Sequence, residues 1–272
     1  MTELLSPAGG REALVAAVQN GTDAVYMGFG SFNARRSARN FSDEEFLAAV
    51  RYCHLRGVKV YLTLNTLVTD RELPALAETA RRASEYGVDA ILVQDWGVYE
   101  TLRAVIPDVP LHASTQMALH TLSGVEEAAR FGMTRAVLAR ELSGEELREI
   151  AERAPIEIET FAHGALCMCY SGMCEMSAVI GGRSGNRGAC AQPCRLRYGW
   201  HGKADANPLS LKDANLAAYA GEMAEMGVAC LKLEGRMKRP EYVAAVTGIY
   251  AALLREHRAP TADEQKKLAL AF

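Results

Sequence analysis

The sequence predicts a closed (β/α)8 barrel, and three observations lead to that fold class. The chain has 272 residues, 49% of them hydrophobic and 23% charged, a composition typical of a globular protein, and its length suits one barrel. A joint in which a helical segment ends at glycine and an apolar strand follows recurs along the chain. Eight predicted strands alternate with helical segments, which is the number that closes such a barrel.

The predicted strands share an apolar character on both faces, as expected for a parallel sheet covered by helices. In chain order they are ELLSPA near the N-terminus, the segments that follow Gly21, Gly57 and Gly87, PLHAST near Leu111, the segment after Gly132, IEIETFA from Ile156, and the segment after Gly227. An open doubly wound sheet would show the same alternation, and periodicity alone does not separate the two topologies.

Amphipathic helical patterns lie between these strands. They include DEEFLAAVRYCHLR, ELPALAETARRASEY, VYETLRAVI, SGVEEAARF and SGEELREIAERA. Acidic residues follow Ser42, Ser123 and Ser143, so each of these serines is a predicted helix N-cap.

One segment interrupts the alternation. Residues 162–213, after the seventh strand, form a predicted insertion rich in Gly, Cys and Arg, and its length of about fifty residues exceeds that of an ordinary connection. LRYGW and NPLSLKD are interpreted as a short hairpin within it. The barrel with this insertion is predicted to occupy residues 1–258, and residues 259–272 a C-terminal tail, interpreted as the possible start of a missing domain.

Charge and cysteine usage limit the class of protein. Thirty Lys and Arg against 33 Asp and Glu give a net charge of -3, so no global positive field attracts nucleic acid or a membrane. No apolar run approaches the roughly 18 residues of a membrane span, and the first residues lack a leader pattern. We therefore expect a cytoplasmic protein without membrane contact, whose seven cysteines stay reduced.

Polar residues follow most of the predicted strands. In a (β/α)8 barrel the carboxyl ends of the strands form the active face, although loops are polar in general. The residues at these ends are Tyr26, Asn65, Gln94, Asp95, His112, Ser114, Gln116, Arg140, Glu141, His163, Glu234 and Arg236.

Six of the seven cysteines fall between positions 167 and 230, whereas Cys53 lies on a helical pattern and is interpreted as a core residue. The six are Cys167, Cys169, Cys174, Cys190, Cys194 and Cys230. Soft thiolates from separate loops suit a 4Fe–4S cluster held by three loop cysteines and a strand-end Cys230. Zinc or another divalent metal, and separate redox thiols, remain open as alternatives.

A hydrolase is a further alternative, since His163 precedes Cys167 by four residues. No third group that would orient such a pair is evident. The sequence also lacks an HExxH helix and a Gly-x-Ser-x-Gly elbow.

The segment ETFAHGALCMCYSGMCEMS, 159–177, resembles the signature of the collagenase-like peptidase family U32. Further matches are ELLSPAG, GTDAVYMGFGSFNARRSARNFS, YLTLNTLV, ILVQDWGV, LHASTQM, GNRGACAQPCRLRY, LSLKD and LKLEGRMKRPEYVAAV. The resemblance therefore extends from Glu3 to about Tyr250.

The resemblance implies a TIM barrel and either of two activities. The family name implies a peptidase, whereas better understood members are oxygen-independent hydroxylases of a tRNA uridine, a 23S rRNA cytidine or, as a two-protein pair, a ubiquinone precursor. It also implies a 4Fe–4S cluster and prephenate as oxygen donor. The implied cluster ligands are Cys167, Cys174, Cys190 and Cys230, with Cys194 as an alternate for Cys190. RNA is the preferred substrate; a small molecule and a homologous partner subunit are the other implied partners.

The same motifs imply a set of site residues. The candidate catalytic residues are Asp95, His112, Glu159, His163 and Glu234. The candidate substrate-binding residues are Tyr26, Asn33, Arg35, Asn65, Ser114, Gln116, Arg236 and Lys238. A basic patch for RNA phosphates is predicted beside the cysteines, formed by Arg183, Arg187, Arg195, Arg197, Lys203, Lys232, Arg236, Lys238 and Arg239.

Overall fold

A computed structural model describes residues 1–30, 32–34, 41–171, 173–200 and 202–271. Within these ranges eight parallel strands close into a barrel, which confirms the predicted fold and excludes the open sheet. The barrel strands are β1 (Glu3–Ala8), β2 (Ala24–Met27), β3 (Lys59–Leu64), β4 (Ala90–Val93), β5 (Leu111–Ala113), β6 (Arg135–Val137), β7 (Glu157–Gly164) and β11 (Cys230–Leu233). Each strand pairs with the next, and β11 closes the ring between β7 and β1.

Helices cover the outside of the barrel. They are α1 (Arg11–Gln19), α2 (Asp43–His54), α3 (Leu73–Glu85), α4 (Trp96–Val105), α5 (Leu122–Arg130), α6 (Gly144–Arg153), α8 (Ala220–Glu225), α9 (Pro240–Glu256) and α10 (Ala262–Leu270). The five predicted joint glycines all adopt positive φ between 71° and 90°, a conformation that favours glycine and ends each helix before the following strand.

Two apolar layers hold the barrel together. The larger core lies between the strands and the helices and includes Leu14, Phe46, Leu76 and Leu102. A smaller cluster fills the barrel interior, formed by Leu5, Ala24, Tyr26, Tyr61, Ala90, Leu92, Val137, Phe161 and Cys230. Because side chains alternate along a strand, residues two apart in this cluster, such as Ala90 and Leu92, identify the inward face of each strand.

Helix capping agrees with the sequence at two of three serines. Ser42 and Ser143 each accept a hydrogen bond from a backbone N–H three residues ahead and form complete capping boxes. The prediction for Ser123 was wrong, because the N-cap of α5 lies two residues earlier: Thr121 accepts from the Gly124 N–H at 3.1 Å.

The insertion begins after β7, and its last strand runs back beside the end of β7. It contains the short helix α7 (Met176–Gly181), the hairpin strands β8 (Tyr198–Trp200) and β9 (Lys203–Ala206), and β10 (Ala214–Asn215), which pairs antiparallel with the end of β7. The predicted hairpin is half right: LRYGW contains β8, but its partner is β9 rather than NPLSLKD.

The predicted C-terminal tail carries α10, which packs on the barrel. Its Leu268 is fully buried, and Gln265 accepts a hydrogen bond at 2.9 Å from the side chain of Asn215 in β10. Arg258 joins α9 to α10 by donating to both carboxylate oxygens of Glu264, at 2.7 and 2.8 Å.

Candidate functional site: the barrel mouth and the cysteine-rich insertion

A polar arc lines the carboxyl end of β3, β4 and β5. We define the mouth arc as Thr63, Asn65, Gln94, Ser114 and Gln116. The Asn65 side-chain amide donates to the hydroxyl of Ser114 at 3.1 Å, and the amide oxygen of Asn65 accepts from the Ala34 N–H at 3.2 Å. The structure thus brings three of the predicted substrate-binding residues, Asn65, Ser114 and Gln116, to one side of the barrel opening.

Arg236 reaches this arc from the loop after β11. Its side chain is only 5% exposed, and it donates to the hydroxyl of Thr63 at 3.0 Å. The loop can approach because position 9 is glycine: a Cβ there would lie 1.8 Å from the Arg236 carbonyl oxygen. Arg236, one of the predicted substrate-binding residues, is therefore a buried cation at the barrel opening.

Tyr26 lies below Arg236 on the barrel wall. Its hydroxyl donates to the Leu233 carbonyl at 2.9 Å, and its ring faces Lys232 Nζ at 4.6 Å from the centroid. The Tyr26 hydroxyl therefore links β2 to β11, and its substrate-binding role stays a prediction.

The amino half of the barrel interior is charged, although barrel interiors consist mainly of branched apolar side chains. Arg135 donates to Glu3 at 2.7 Å and to Glu159 at 3.3 Å, and Lys232 donates to Glu159 at 2.7 Å. Burial opposes ionisation of Glu3, yet Arg135 beside it holds the pKa of that carboxyl below its usual range. Glu159, predicted as catalytic, thus sits between two buried cations. Losing it would leave both charges short of their partner.

His112 and His163 occupy different environments. His112 lies on the inward face of β5, 4% exposed, with its ring 5.1 Å from that of Tyr61. Its Nδ1 has no hydrogen-bond partner among the residues that the structure describes. His163, at the end of β7, packs instead against Tyr242 and Tyr250 of α9.

Burial keeps both imidazoles neutral. Burial, aided by the charge of Arg135, lowers the pKa of His112 well below 6.5, and burial with the charge of Lys238 lowers the pKa of His163 to about 4. These pKa shifts depend on burial, which sequence spacing does not reveal.

We expect the two histidines to make the protein less stable in mild acid. Between pH 6.5 and about 4 the unfolded chain binds protons at His163 that the folded chain does not, so the free energy of unfolding falls as the pH falls through this window. Urea unfolding at several pH values measures this slope. The variant His163→Gln should flatten it relative to wild type, and an unchanged slope would contradict the assignment.

Five free thiols come together in the insertion, at the carboxyl end of the barrel. Burial and the neighbouring thiols of Cys174 and Cys167 raise the pKa of Cys169. Burial likewise raises the pKa of Cys194. The charge of Arg195 lowers this pKa, whereas the neighbouring thiols of Cys167 and Cys190 raise it further. Cys167 therefore lies close enough to influence the thiols of both Cys169 and Cys194.

Gly185 marks the point where two of the cysteine loops meet. A Cβ at this glycine would lie 3.5 Å from the Cys174 carbonyl oxygen and 3.7 Å from Cβ of Cys190. The Gln192 N–H donates to Cys190 Sγ at 3.3 Å, a type of bond that tunes thiolates bound to metal. Within the described ranges no three His, Cys, Asp or Glu side chains form a ready-made metal group, so the thiols are neighbours rather than assembled ligands.

Arginine side chains fasten the insertion to the barrel. Arg140, after β6, donates to Ser171 Oγ at 3.2 Å and to the Ala165 carbonyl at 3.0 Å. Arg187 donates to Glu72 at 2.6 Å and to the Leu67 carbonyl at 2.9 Å. The cysteine loops are therefore held over the barrel opening on two sides.

Cys230 is separate from these thiols. It is the first residue of β11, fully buried in the barrel interior, where burial and the charge of Glu159 raise its pKa well above the usual range. The expectation that Cys230 ends its strand beside the loop cysteines was wrong, because the strand begins at this residue and its carboxyl end is Leu233. Parallel pairing with Glu3 places Cys230 at the amino end of the barrel.

The remaining predicted site residues have partners within the fold, except Arg35, which lies outside the described residues. Asp95 caps α4 by accepting from the Val98 N–H at 3.1 Å, and it also accepts from the Val68 N–H at 3.3 Å. Asn33 is fully buried, Glu234 is half-buried, and Lys238 Nζ lies 5.4 Å from the ring centroid of Tyr242.

The members of the predicted basic patch do not share one exposed surface: some are buried or bonded within the protein and others are exposed. Lys232 and Arg236 are buried, Arg187 pairs with Glu72, and Arg195 donates to the Leu166 carbonyl at 2.9 Å. Arg183, Arg197 and Arg239 remain exposed. The side chain of Lys203 lies outside the described part of the chain.

Sequence reasoning missed the contribution of Arg135, which organises the charged interior. The available signal was a charged residue at the start of an apolar run, a position usually assigned to a solvated strand end. Closure of the barrel places this strand start beside Glu3 and Glu157 instead.

Among the helices of the described ranges, none combines the length and apolar composition that a membrane span requires.

The chain resembles proteins of known name in sequence and in fold. It is 38% identical over 264 residues to a tRNA hydroxylation protein of Bacillus subtilis, covering 93% of this chain and 63% of that protein. It is 40% identical over 260 residues to the 23S rRNA 5-hydroxycytidine synthase of Escherichia coli, covering 93% of this chain and 39% of that protein. The chain therefore spans less than two thirds of the length of these two relatives.

A solved structure of a U32 peptidase has a TM-score of 0.59 with this chain at 18% identity, and the match covers 86% of this chain and 93% of that one. This likeness agrees with the barrel fold. The sequence profile described as peptidase family U32 matches residues 9–271. With the barrel, the cysteine insertion and this match over nearly its whole length, the chain belongs to peptidase family U32.

Proposed function

We propose that this chain is the barrel region of an oxygen-independent RNA base hydroxylase with a 4Fe–4S cluster at the barrel mouth. The observation that carries the proposal is the proximity of free cysteine side chains from the two segments that flank α7, beside a polar barrel opening. The names of the relatives, a tRNA hydroxylation protein and an rRNA hydroxycytidine synthase, support the choice of RNA.

The thiols of the insertion are free and suit an iron–sulfur cluster. A zinc site of four cysteines uses the same donors, so we choose the cluster on the ground of the family resemblance. We assign Cys167, Cys174, Cys190 and Cys194 as the ligands, because each belongs to the insertion and Cys167 neighbours Cys194, which neighbours Cys190. Cys230 is left out, since it lies at the opposite end of the barrel. A bound cluster would supply one-electron redox chemistry beside the substrate.

The reaction exchanges a hydrogen on the base for a hydroxyl group. Written as R–H + X–OH → R–OH + X–H, the base loses two electrons and the oxygen donor X–OH gains them, so molecular oxygen is not needed. Prephenate, a dicarboxylate, is the donor that we propose. Arg236 at the mouth would bind one carboxylate in bidentate fashion, and Lys238 in the same loop would bind the other.

His112 is suited to move the proton. Its imidazole is neutral because burial lowers its pKa, it faces the barrel interior beneath Ser114, and its Nδ1 has no partner among the described residues. We propose that Nδ1 accepts the proton from the base carbon and returns it to the spent donor.

Exposed aromatic side chains lie on the insertion beside the mouth. Tyr170 is 60% exposed, and its ring stacks on His120 with centroids 6.2 Å apart and planes 24° apart. An exposed, stacked pair of rings is a suitable surface for an unpaired RNA base. The exposed Arg183 and Arg197 on the same insertion would contact phosphates.

The peptidase alternative finds less support in the site. A cysteine hydrolase would use Cys167 with His163, but the His163 ring packs on Tyr242 and Tyr250 of α9. This packing favours a structural role for His163 over a catalytic pair.

The test combines metal analysis with RNA analysis. The protein is purified anaerobically and assayed for iron and sulfide, and nucleosides of tRNA and rRNA are compared by mass spectrometry in cells with and without the gene. We expect about four iron and four sulfide per chain and one hydroxylated pyrimidine that disappears with the gene. A colourless protein with stoichiometric zinc, or unchanged RNA, would overturn the proposal.

A further inference from the structure

Two glutamines follow neighbouring strands, β4 and β5, at the carboxyl end of the barrel. Gln94 directly follows β4, on the inward face marked by Leu92, and Gln116 lies in the turn of 3-10 helix after β5. Ser114 links the two strands, since its N–H donates to the Val93 carbonyl at 2.8 Å. Both glutamines follow predicted strands in the sequence, but no step of the reaction proposed above uses them.

Both side chains are buried, with one polar atom of each lacking a partner. Each is 8% exposed, and Oε1 of each has no hydrogen-bond partner among the residues that the structure describes. Their neighbours in the mouth arc differ: Asn65 and Ser114 bond to each other and to the backbone. Buried amides are normally satisfied, so two that are not, after neighbouring strands at the same end of the barrel, indicate a ligand that carries hydrogen-bond donors.

We propose that Gln94 and Gln116 read the hydrogen-bonding edge of the pyrimidine that the enzyme hydroxylates. The proposal rests on the function proposed above and identifies how that site selects its base. The edge of uracil presents an N–H donor between two carbonyl acceptors, and cytosine presents an amino donor beside acceptors. A carboxamide offers one acceptor and two donors on a rotatable plane, so it pairs with either edge.

The position of the glutamines agrees with the way such enzymes reach a base. An enzyme that modifies a base carbon takes the base out of the stack and binds its edge in a pocket. A base entering the mouth would meet Gln94 and Gln116 on the β4–β5 side and His112 deeper along β5. Arg236 donates to Thr63 of β3, so the carboxylate donor and the base would use different residues.

The test replaces each glutamine with methionine, which keeps the shape and removes the amide. The substrate is one stem-loop RNA prepared with uridine, cytidine, a purine or an abasic site at the target position. Anisotropy measures its binding, and mass spectrometry measures hydroxylation. We expect Gln94→Met and Gln116→Met to lower kcat/KM by about 10- to 100-fold and to lose the preference for the pyrimidine over the abasic site.

A second measurement separates recognition from folding. Removing an unsatisfied buried amide leaves the fold intact or strengthens it, so the Tm of both variants should equal or exceed that of wild type. Gln19→Met, on the exposed end of α1, is the matched control and should leave binding, kcat/KM and Tm unchanged.

The outcomes distinguish this inference from the proposed function. If wild type hydroxylates the RNA while both variants keep its kcat/KM and its base preference, the glutamines do not read the base and the inference is overturned, while the function stands. If the variants unfold at lower temperature and lose activity in proportion, the amides are structural and the inference is again overturned. If wild type neither binds nor hydroxylates any of the RNAs, both proposals fail.

Discussion

Replacing Cys174 with serine is expected to remove the bound iron and to reduce RNA hydroxylation at least about 100-fold, because serine does not replace a thiolate as a ligand of iron. The fold should survive, since Cys174 lies in the insertion outside the barrel core and is partly exposed. Iron and sulfide analysis, the visible absorption of the reconstituted protein and the hydroxylated nucleoside are the three measurements.

Paired variants decide which cysteine is the fourth ligand. Cys194→Ser should behave like Cys174→Ser, whereas Cys230→Ser should retain iron because Cys230 lies at the amino end of β11. Cys53→Ser, on α2, is the control for a buried cysteine away from the insertion. Iron retained in Cys194→Ser and lost in a folded Cys230→Ser would refute the assignment and restore the ligand set implied by sequence resemblance.

Replacing Glu159 with glutamine should lower the free energy of unfolding by about 3–5 kcal/mol, because Lys232 and Arg135 would lose the buried carboxylate between them. Glu159 is 0% exposed and Lys232 is 4% exposed, so water does not replace the lost partner. Urea unfolding, with the m-value compared to wild type, measures the effect.

Two controls identify the cause of that destabilisation. Glu149→Gln breaks an exposed pair with Arg153 on α6 and should cost at most about 0.5 kcal/mol. The double variant Glu159→Met with Lys232→Met removes both charges and should be less destabilised than Glu159→Gln alone. A double variant that is as unstable as the sum of its single variants would show that packing, rather than unpaired charge, is responsible.

The predictable part of the fold follows from local chemistry. Five of the eight barrel strands were located because a glycine, which adopts positive φ, precedes them and their residues are apolar on both faces, which are properties of a few neighbouring residues. Ser42 and Ser143 were recognised as caps for the same reason. Thr121 caps α5 in place of Ser123; both residue types can cap a helix, so the local pattern alone does not say at which of them the helix begins.

The candidate site was predictable where it depends on strand polarity. Asn65, Ser114 and Gln116 follow strands, and parallel strands bring their carboxyl ends to one face, so these residues meet at the mouth. The pairing of Asn65 with Ser114, by contrast, depends on the register between β3, β4 and β5, which no local pattern encodes.

The sequence by itself determined the alternation of strands and helices, the family and the segment that carries the thiols, because each of these is written in short motifs. Only the tertiary structure decided that Cys230 and the insertion cysteines lie at opposite ends of the barrel, and that Lys232 and Arg135 point into the barrel interior rather than to solvent. The physical reason is that barrel closure joins residues more than a hundred positions apart, as in the contact of Arg135 with Glu3. Such contacts depend on strand register and side-chain direction, which local propensity does not set.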